Sequence, residues 1–163
     1  MNSTPPSPEV AAPVPLPVKK ILVPLDFSDC SLFALRYAVN LAKQVDANLL
    51  LVHVASSLLT PPEMEYVHVD LKKFRAEVEK HASAKLAAVA EQEIPTTVFA
   101  SPIVRHGAAW EEITGVAKEH KADLIVIGTR GYSRLKHMLL GSTAEKVVRC
   151  AGCPVLVVRD YGK

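Results

Sequence analysis

Aromatic residues are scarce in this sequence: Phe, Trp and Tyr make up 6% of 163 residues, with a single Trp. No Lys/Arg run is interleaved with them, so the stacking platforms that hold single-stranded nucleic acid are missing. An excess of one charge is missing too. Lys+Arg number 19 against Asp+Glu 17, and a pI near 8.4 lies below the value of about 9 that marks a dedicated nucleic-acid binder. No nucleic-acid partner is expected. The three cysteines are an odd number, which argues against a disulfide framework and for a reducing compartment. Residues 1–17 carry no cationic segment and are broken by six prolines, which is not the composition of a signal peptide. No apolar run approaches the roughly 20 residues that span a bilayer. These features point to a cytoplasmic protein with no membrane partner. Residues 1–17 read as a disordered proline-rich tail and 18–163 as one domain, of a size that buries about 68–70% of its unfolded surface.

Several catalytic signatures are absent as well. There is no G-x-G-x-x-G after the first strand, no G-x-x-x-x-G-K-[ST], and no G-x-S-x-G elbow, which argues against a Rossmann dehydrogenase, a P-loop NTPase and an α/β-hydrolase. The histidines at 53, 68, 81, 106, 120 and 137 show no H-x-x-x-H or Cys/His pairing, so no metal site is assigned. Cys150 and Cys153 have thioredoxin-like spacing, but they close a helix instead of opening one and lack the activation a helix N-terminus supplies.

What the chain does contain is an alternation of buried strands and helices. Lys20 to Leu25 is a continuous apolar run suited to a parallel strand covered on both faces. Leu32, Leu35, Val39 and Ala42 then recur at helical spacing to about Lys43, with Ser28 as the N-cap. Asn48 to Val54 reads as a second strand. A loop with Pro61 and Pro62 leads into a long helical pattern through Leu71, Phe74, Val78, Leu86 and Val89. Thr97 to Val104, interrupted by Pro102, predicts a third strand at a sheet edge. A helix over Ala108 to His120, with Trp110, Ile113 and Val116 on one face, precedes the strand Leu124 to Ile127. A helix from Ser142 to Cys150 and a strand over Val155 to Val158 complete the pattern. Such alternation implies right-handed crossovers and a doubly wound, flavodoxin-like or Rossmann-like α/β domain: a five-stranded parallel sheet with helices on both faces.

In such a sheet ligands bind beyond the carboxyl ends of the strands, where the strand order reverses. The fourth strand runs into Gly128-Thr129-Arg130-Gly131, and Gly141-Ser142-Thr143 opens the last helix. Glycines permit close backbone approach, the helix start offers unpaired N–H groups and a partial positive charge, and the hydroxyls can complete a phosphate cradle. The same residues have a structural reading: Gly128 ends a strand, Gly131 makes a turn, and Gly141-Ser142 with Glu145 forms a capping box. Arg130 is either a phosphate contact or a solvated loop residue. Leu135, Met138, Leu139 and Leu140 read as packing.

The spacing of Gly128, Gly131, Gly141 and Ser142 resembles the G-2x-G-9x-G-[S/T] signature of the ATP-binding branch of the universal stress protein family. The resemblance extends over about residues 19–160, through Pro24 and Asp26, Leu51-Val52-His53-Val54, Asp123-Leu124-Ile125-Val126 and Cys153-Pro154-Val155-Leu156-Val157-Val158. It implies that Asp26 and the backbone around Pro24 and Val54 hold the adenosine part. Gly128, Gly131, Gly141, Ser142 and Thr143 would surround the phosphates, and the family's strand order, 3-2-1-4-5, would set the first and fourth strands side by side at the reversal point. It implies ATP, with or without Mg2+, as the ligand, a homodimer paired through the last strand, and a nucleotide-dependent stress-response regulator that acts on a downstream protein. A slow ATP-hydrolysing enzyme and a scaffold without nucleotide are the alternatives. No residue marks itself as a dedicated base for hydrolysis.

Overall fold

The structure, a computed structural model, describes residues 17–55, 71–129 and 140–159. In chain order the elements are β1 (Lys20–Pro24), α1 (Asp29–Val45), β2 (Asn48–Ala55), α2 (Leu71–Glu93), β3 (Ala100–His106), α3 (Ala109–Glu119), β4 (Leu124–Gly128), α4 (Ser142–Cys150) and β5 (Val155–Val158). The strands form one parallel sheet, as the alternation implied, in the order β3-β2-β1-β4-β5 that the family resemblance implied.

β1 is the centre of the sheet because its side chains can be buried on either face. Ile21, Leu22 and Val23 are all fully buried. Ile21 and Val23 pack with Leu35, Leu49, Leu51 and Leu86 beneath α1 and α2. Leu22 packs with Val52, Ile113, Ile125 and Val147 beneath α3 and α4. Alternate side chains of one strand thus feed two separate cores. The amino end of the sheet is closed by Asp123, whose Oδ2 accepts from the backbone N–H groups of Lys19 and Lys20, both at 2.9 Å.

Helix α1 begins at Ser28, whose Oγ accepts from the Ser31 N–H at 3.3 Å. Asp29 lies in its first turn and Lys43 in its last, each matched to the helix dipole. It stops where Asp46 adopts a left-handed conformation, φ 54°. A bidentate pair, Arg36 Nε and Nη2 to Glu93 Oε2 and Oε1 at 2.8 and 2.7 Å, ties α1 to the end of α2.

The largest boundary difference from the sequence reading falls on the start of the third strand. β3 starts at Ala100 and not near Thr97, because Pro95 opens a turn closed by the Val98 N–H to the Pro95 carbonyl at 3.0 Å. Pro102 stands opposite Leu51 in this edge strand, the position in a sheet that tolerates a residue without an N–H. The loop with Pro61 and Pro62 lies outside the described residues, as do residues 1–16 of the proline-rich tail.

The carboxyl end of β4 lies hard against the first turn of α1. A Cβ on Gly128 would stand 2.8 Å from the Cys30 carbonyl oxygen and 3.1 Å from its carbon. Both are backbone atoms that cannot swing aside. We therefore expect Gly128→Ala to destabilise the fold by about 1–3 kcal/mol, the usual cost of overpacking. Urea denaturation checks this, and an unchanged midpoint would refute it. The hydrogen bond from Arg36, and then its charge, hold the Glu93 carboxyl below the usual carboxylate range. A depressed folded value means the stabilisation is present above the unfolded carboxylate pKa and lost as pH falls through the folded one. Because Arg36 is largely exposed, Glu93→Gln should cost less than about 1 kcal/mol at pH 7. The difference from wild type should shrink as denaturation is repeated in increasingly acidic buffer.

Candidate functional site

The carboxyl end of the sheet is built by two loops that leave β1 and β4 in opposite directions. Beyond β1, the Leu25 N–H donates to the Val52 carbonyl at 2.8 Å, so the chain stays paired to β2 one residue past the strand. Asp26 follows, and its Oδ1 accepts from the backbone N–H of Ser28 at 3.0 Å and from Ser28 Oγ at 2.6 Å. The carboxylate thereby shapes the turn into α1 while standing at the sheet edge. Beyond β4, the Thr129 N–H donates to the Val158 carbonyl at 3.1 Å, and the Gly141 N–H donates to the Thr129 carbonyl at 2.7 Å. This last bond fastens the start of α4 to the end of β4.

The N-cap of α4 is Gly141, with φ −71° and ψ 152° and no side-chain capping hydrogen bond. The capping box read from Gly141, Ser142 and Glu145 is therefore not formed. A box needs a Ser or Thr oxygen at the N-cap, and that position is glycine. The Glu145 N–H makes an ordinary helical bond to the Gly141 carbonyl at 2.9 Å. The first N–H groups of α4 are consequently left without an N-cap side chain over them, the condition under which a helix start attracts an anion.

Between the two loops lies a crevice of about 220 Å3. Pro24, Asp26, Val54, Gly128, Gly141, Ser142 and Thr143 all line it, so these residues singled out in the sequence meet in one place. Arg130 and Gly131 lie outside the described residues, as does most of the segment that links Gly131 to Gly141. Sequence reasoning missed Ser31 and Thr129, two buried polar residues on the wall, and the apolar side formed by Ala109 and Ile113 of α3. Thr129 stands inside the glycine signature and was within reach of it. The α3 wall follows only from the crossover that carries α3 to the same face as α4.

Among the described residues that line the crevice, Asp26 is the one charged side chain. An anion held here would be met by backbone amides, hydroxyls and the dipole of α4. Gly128 contributes backbone to the wall, and because its missing Cβ is directed at Cys30, the packing of α1 is by itself enough to require glycine there. Among the described residues no group of three or more His, Cys, Asp or Glu is placed to hold a metal, and no helix is long and apolar enough to cross a membrane.

A doubly wound α/β sheet with a crevice at the point where its strand order reverses defines the class of protein that takes ligands at the carboxyl ends of its strands. The chain belongs to the universal stress protein family, whose family model matches residues 17–159. It is 39% identical over 145 residues to universal stress protein YxiE of Bacillus subtilis (strain 168), across 86% of this chain and 98% of the relative. Its structure is similar to that of the Methanocaldococcus jannaschii protein MJ0577, with a TM-score of 0.77 and 27% identity over 90% of this chain and 99% of the other. A universal stress protein solved in complex with cAMP is similar at a TM-score of 0.61 and 25% identity, over 87% of this chain and 97% of that one.

The thioredoxin-like pair lies apart from this crevice. Cys150 is exposed at the end of α4, whereas burial and the nearby charge of Asp123 push the Cys153 thiol up. A raised thiol holds less thiolate and attacks more slowly. Labelling with a chromogenic disulfide at pH 8 should modify Cys150 before Cys153. Preferential attack at Cys153 would contradict the assignment of the pair to structure.

Proposed function

We propose that the crevice binds an adenine nucleotide, with ATP as the ligand, and that the protein is a nucleotide-dependent stress-response regulator. The observation that carries this reading is the meeting of the uncapped start of α4 with the β1 loop around a single crevice at the reversal point. In this reading the amides at Gly141, Ser142 and Thr143 take the phosphates, together with Gly131 and Arg130. Pro24, Asp26 and Val54 take the adenosine side. The similarity to a relative solved with cAMP supports an adenine ligand. A Mg2+ ion, where present, would enter on the phosphate oxygens, since Mg2+ is commonly held by substrate phosphates and few protein ligands.

The same proposal includes a two-fold dimer paired through β5, with the cytoplasm as its setting. Val155, Leu156 and Val157 are only partly buried in this edge strand, and Val148 of α4, the helix that precedes it, is 46% exposed. An apolar edge of this kind is a pairing hazard unless covered. Cys30, Cys150 and Cys153 are all free thiols, in keeping with a reducing compartment.

Native mass spectrometry of the purified protein tests both parts at once: the expected species is a dimer that releases ATP on denaturation. Released ADP would favour turnover, and a protein that carries and binds no nucleotide would defeat the reading. By titration calorimetry, Ser142→Ala and Thr143→Ala should each weaken ATP by about 10- to 100-fold, the worth of a hydroxyl bond to a charged phosphate. Asp26→Ala should weaken it by about 10- to 100-fold, since its bond is charge-assisted. Gly131→Val should abolish retention with the urea midpoint unchanged.

A further inference from the structure

Phe27 follows Asp26 and has φ 65°, a left-handed conformation that is a genuine outlier for a bulky residue. Such backbone persists only where its surroundings over-determine it. Those surroundings are specific. The Phe27 ring lies 4.6 Å from the His53 ring, centroid to centroid, at an interplanar angle of 36°. The Lys85 ammonium of α2 stands 4.3 Å from the centroid of the Phe27 ring. His53 Nδ1 is 2.7 Å from the Leu25 carbonyl oxygen; since a carbonyl only accepts, Nδ1 carries the proton.

His53 therefore grips both neighbours of Asp26, Leu25 through a hydrogen bond and Phe27 through its ring. None of Phe27, His53 or Lys85 lines the crevice. On β2, Val52 and Val54 face the crevice, so His53 points to the opposite face, where Leu49 and Leu51 join the core beneath α1 and α2. We propose that Phe27, His53 and Lys85 form a clamp behind the crevice that positions the Asp26 carboxylate for an adenine nucleotide. The clamp rests on the nucleotide reading given above. Its members touch no ligand; they are positioning residues that act through Asp26.

The test is titration calorimetry with ATP, and with cAMP in parallel, alongside thermal melting of each variant. Phe27→Gly accepts the left-handed backbone without a Cβ penalty but loses the ring, and should weaken the nucleotide about tenfold at temperatures far below the melting midpoint. Phe27→Tyr keeps the ring and should bind within about twofold of wild type. His53→Ala should weaken binding about fivefold and Lys85→Met about twofold. Lys85 is exposed, so that variant keeps the test open whatever Phe27→Gly does to folding. In an Asp26→Ala background, Phe27→Gly should produce no further loss, which a merely structural role would not explain. Wild-type affinity in Phe27→Gly, His53→Ala and Lys85→Met, or an undiminished loss in the Asp26→Ala background, would overturn the clamp and leave the crevice reading standing. A wild-type protein that binds neither nucleotide would remove both.

Discussion

The crevice depends on how closely the end of β4 approaches the first turn of α1. The two meet so tightly at Gly128 that a methyl group there would collide with the Cys30 carbonyl. This contact exists because β1 and β4 are neighbours in the sheet while their following helices leave toward opposite faces. A gap opens between two diverging connections, and no described element fills it. The site is therefore a consequence of topology before any side chain is considered.

The chemistry laid over that gap is mostly neutral. Hydroxyls of Ser31, Thr129, Ser142 and Thr143, the apolar side chains of Val54 and Ile113, and the start of α4 surround a single described carboxylate. Such a surface meets an anion with fixed dipoles in place of counter-ions. Dipoles carried by a helix and a strand end are already oriented in the folded state, so little ordering is left for the ligand to impose. Asp26 repels an anion and attracts hydroxyl or amino donors, so a ligand that carries both would be favoured with its donors toward β1 and its anionic end toward the start of α4.

Behind the ligand-facing wall stands a second tier of contacts. His53 looks like a misplaced polar residue in an apolar strand, yet its ring is tied to the Leu25 carbonyl and stacked on Phe27. The turn after β1 is held by groups drawn from β2 and α2, elements remote in sequence. Backbone strain at Phe27 becomes intelligible only with these partners in place.

Much of this was legible in the chain itself. Continuous apolar runs declared strands buried on both faces, their alternation with helical patterns implied a parallel sheet covered on both faces, and Ser142 to Cys150 was delimited as a helix by its own glycine and its own periodicity. Pro102 marked an edge. The start of β3 was misjudged because Thr96, Thr97 and Val98 favour strands locally, whereas Pro95 turns the chain there. The capping box was a sound local reading that the geometry set aside, since the cap fell one residue early, on Gly141.

The sequence by itself determined which residues could be buried, which segments repeat at strand or helix period, and that small residues and hydroxyls cluster after the fourth strand. These properties are local, and a linear pattern records them. Only the tertiary structure decided that Gly128 is small for the sake of Cys30, that α3 walls the crevice, and that His53 holds both sides of Asp26. Each is a contact between segments distant along the chain, and a distance across the fold leaves no period in the sequence from which it could be read.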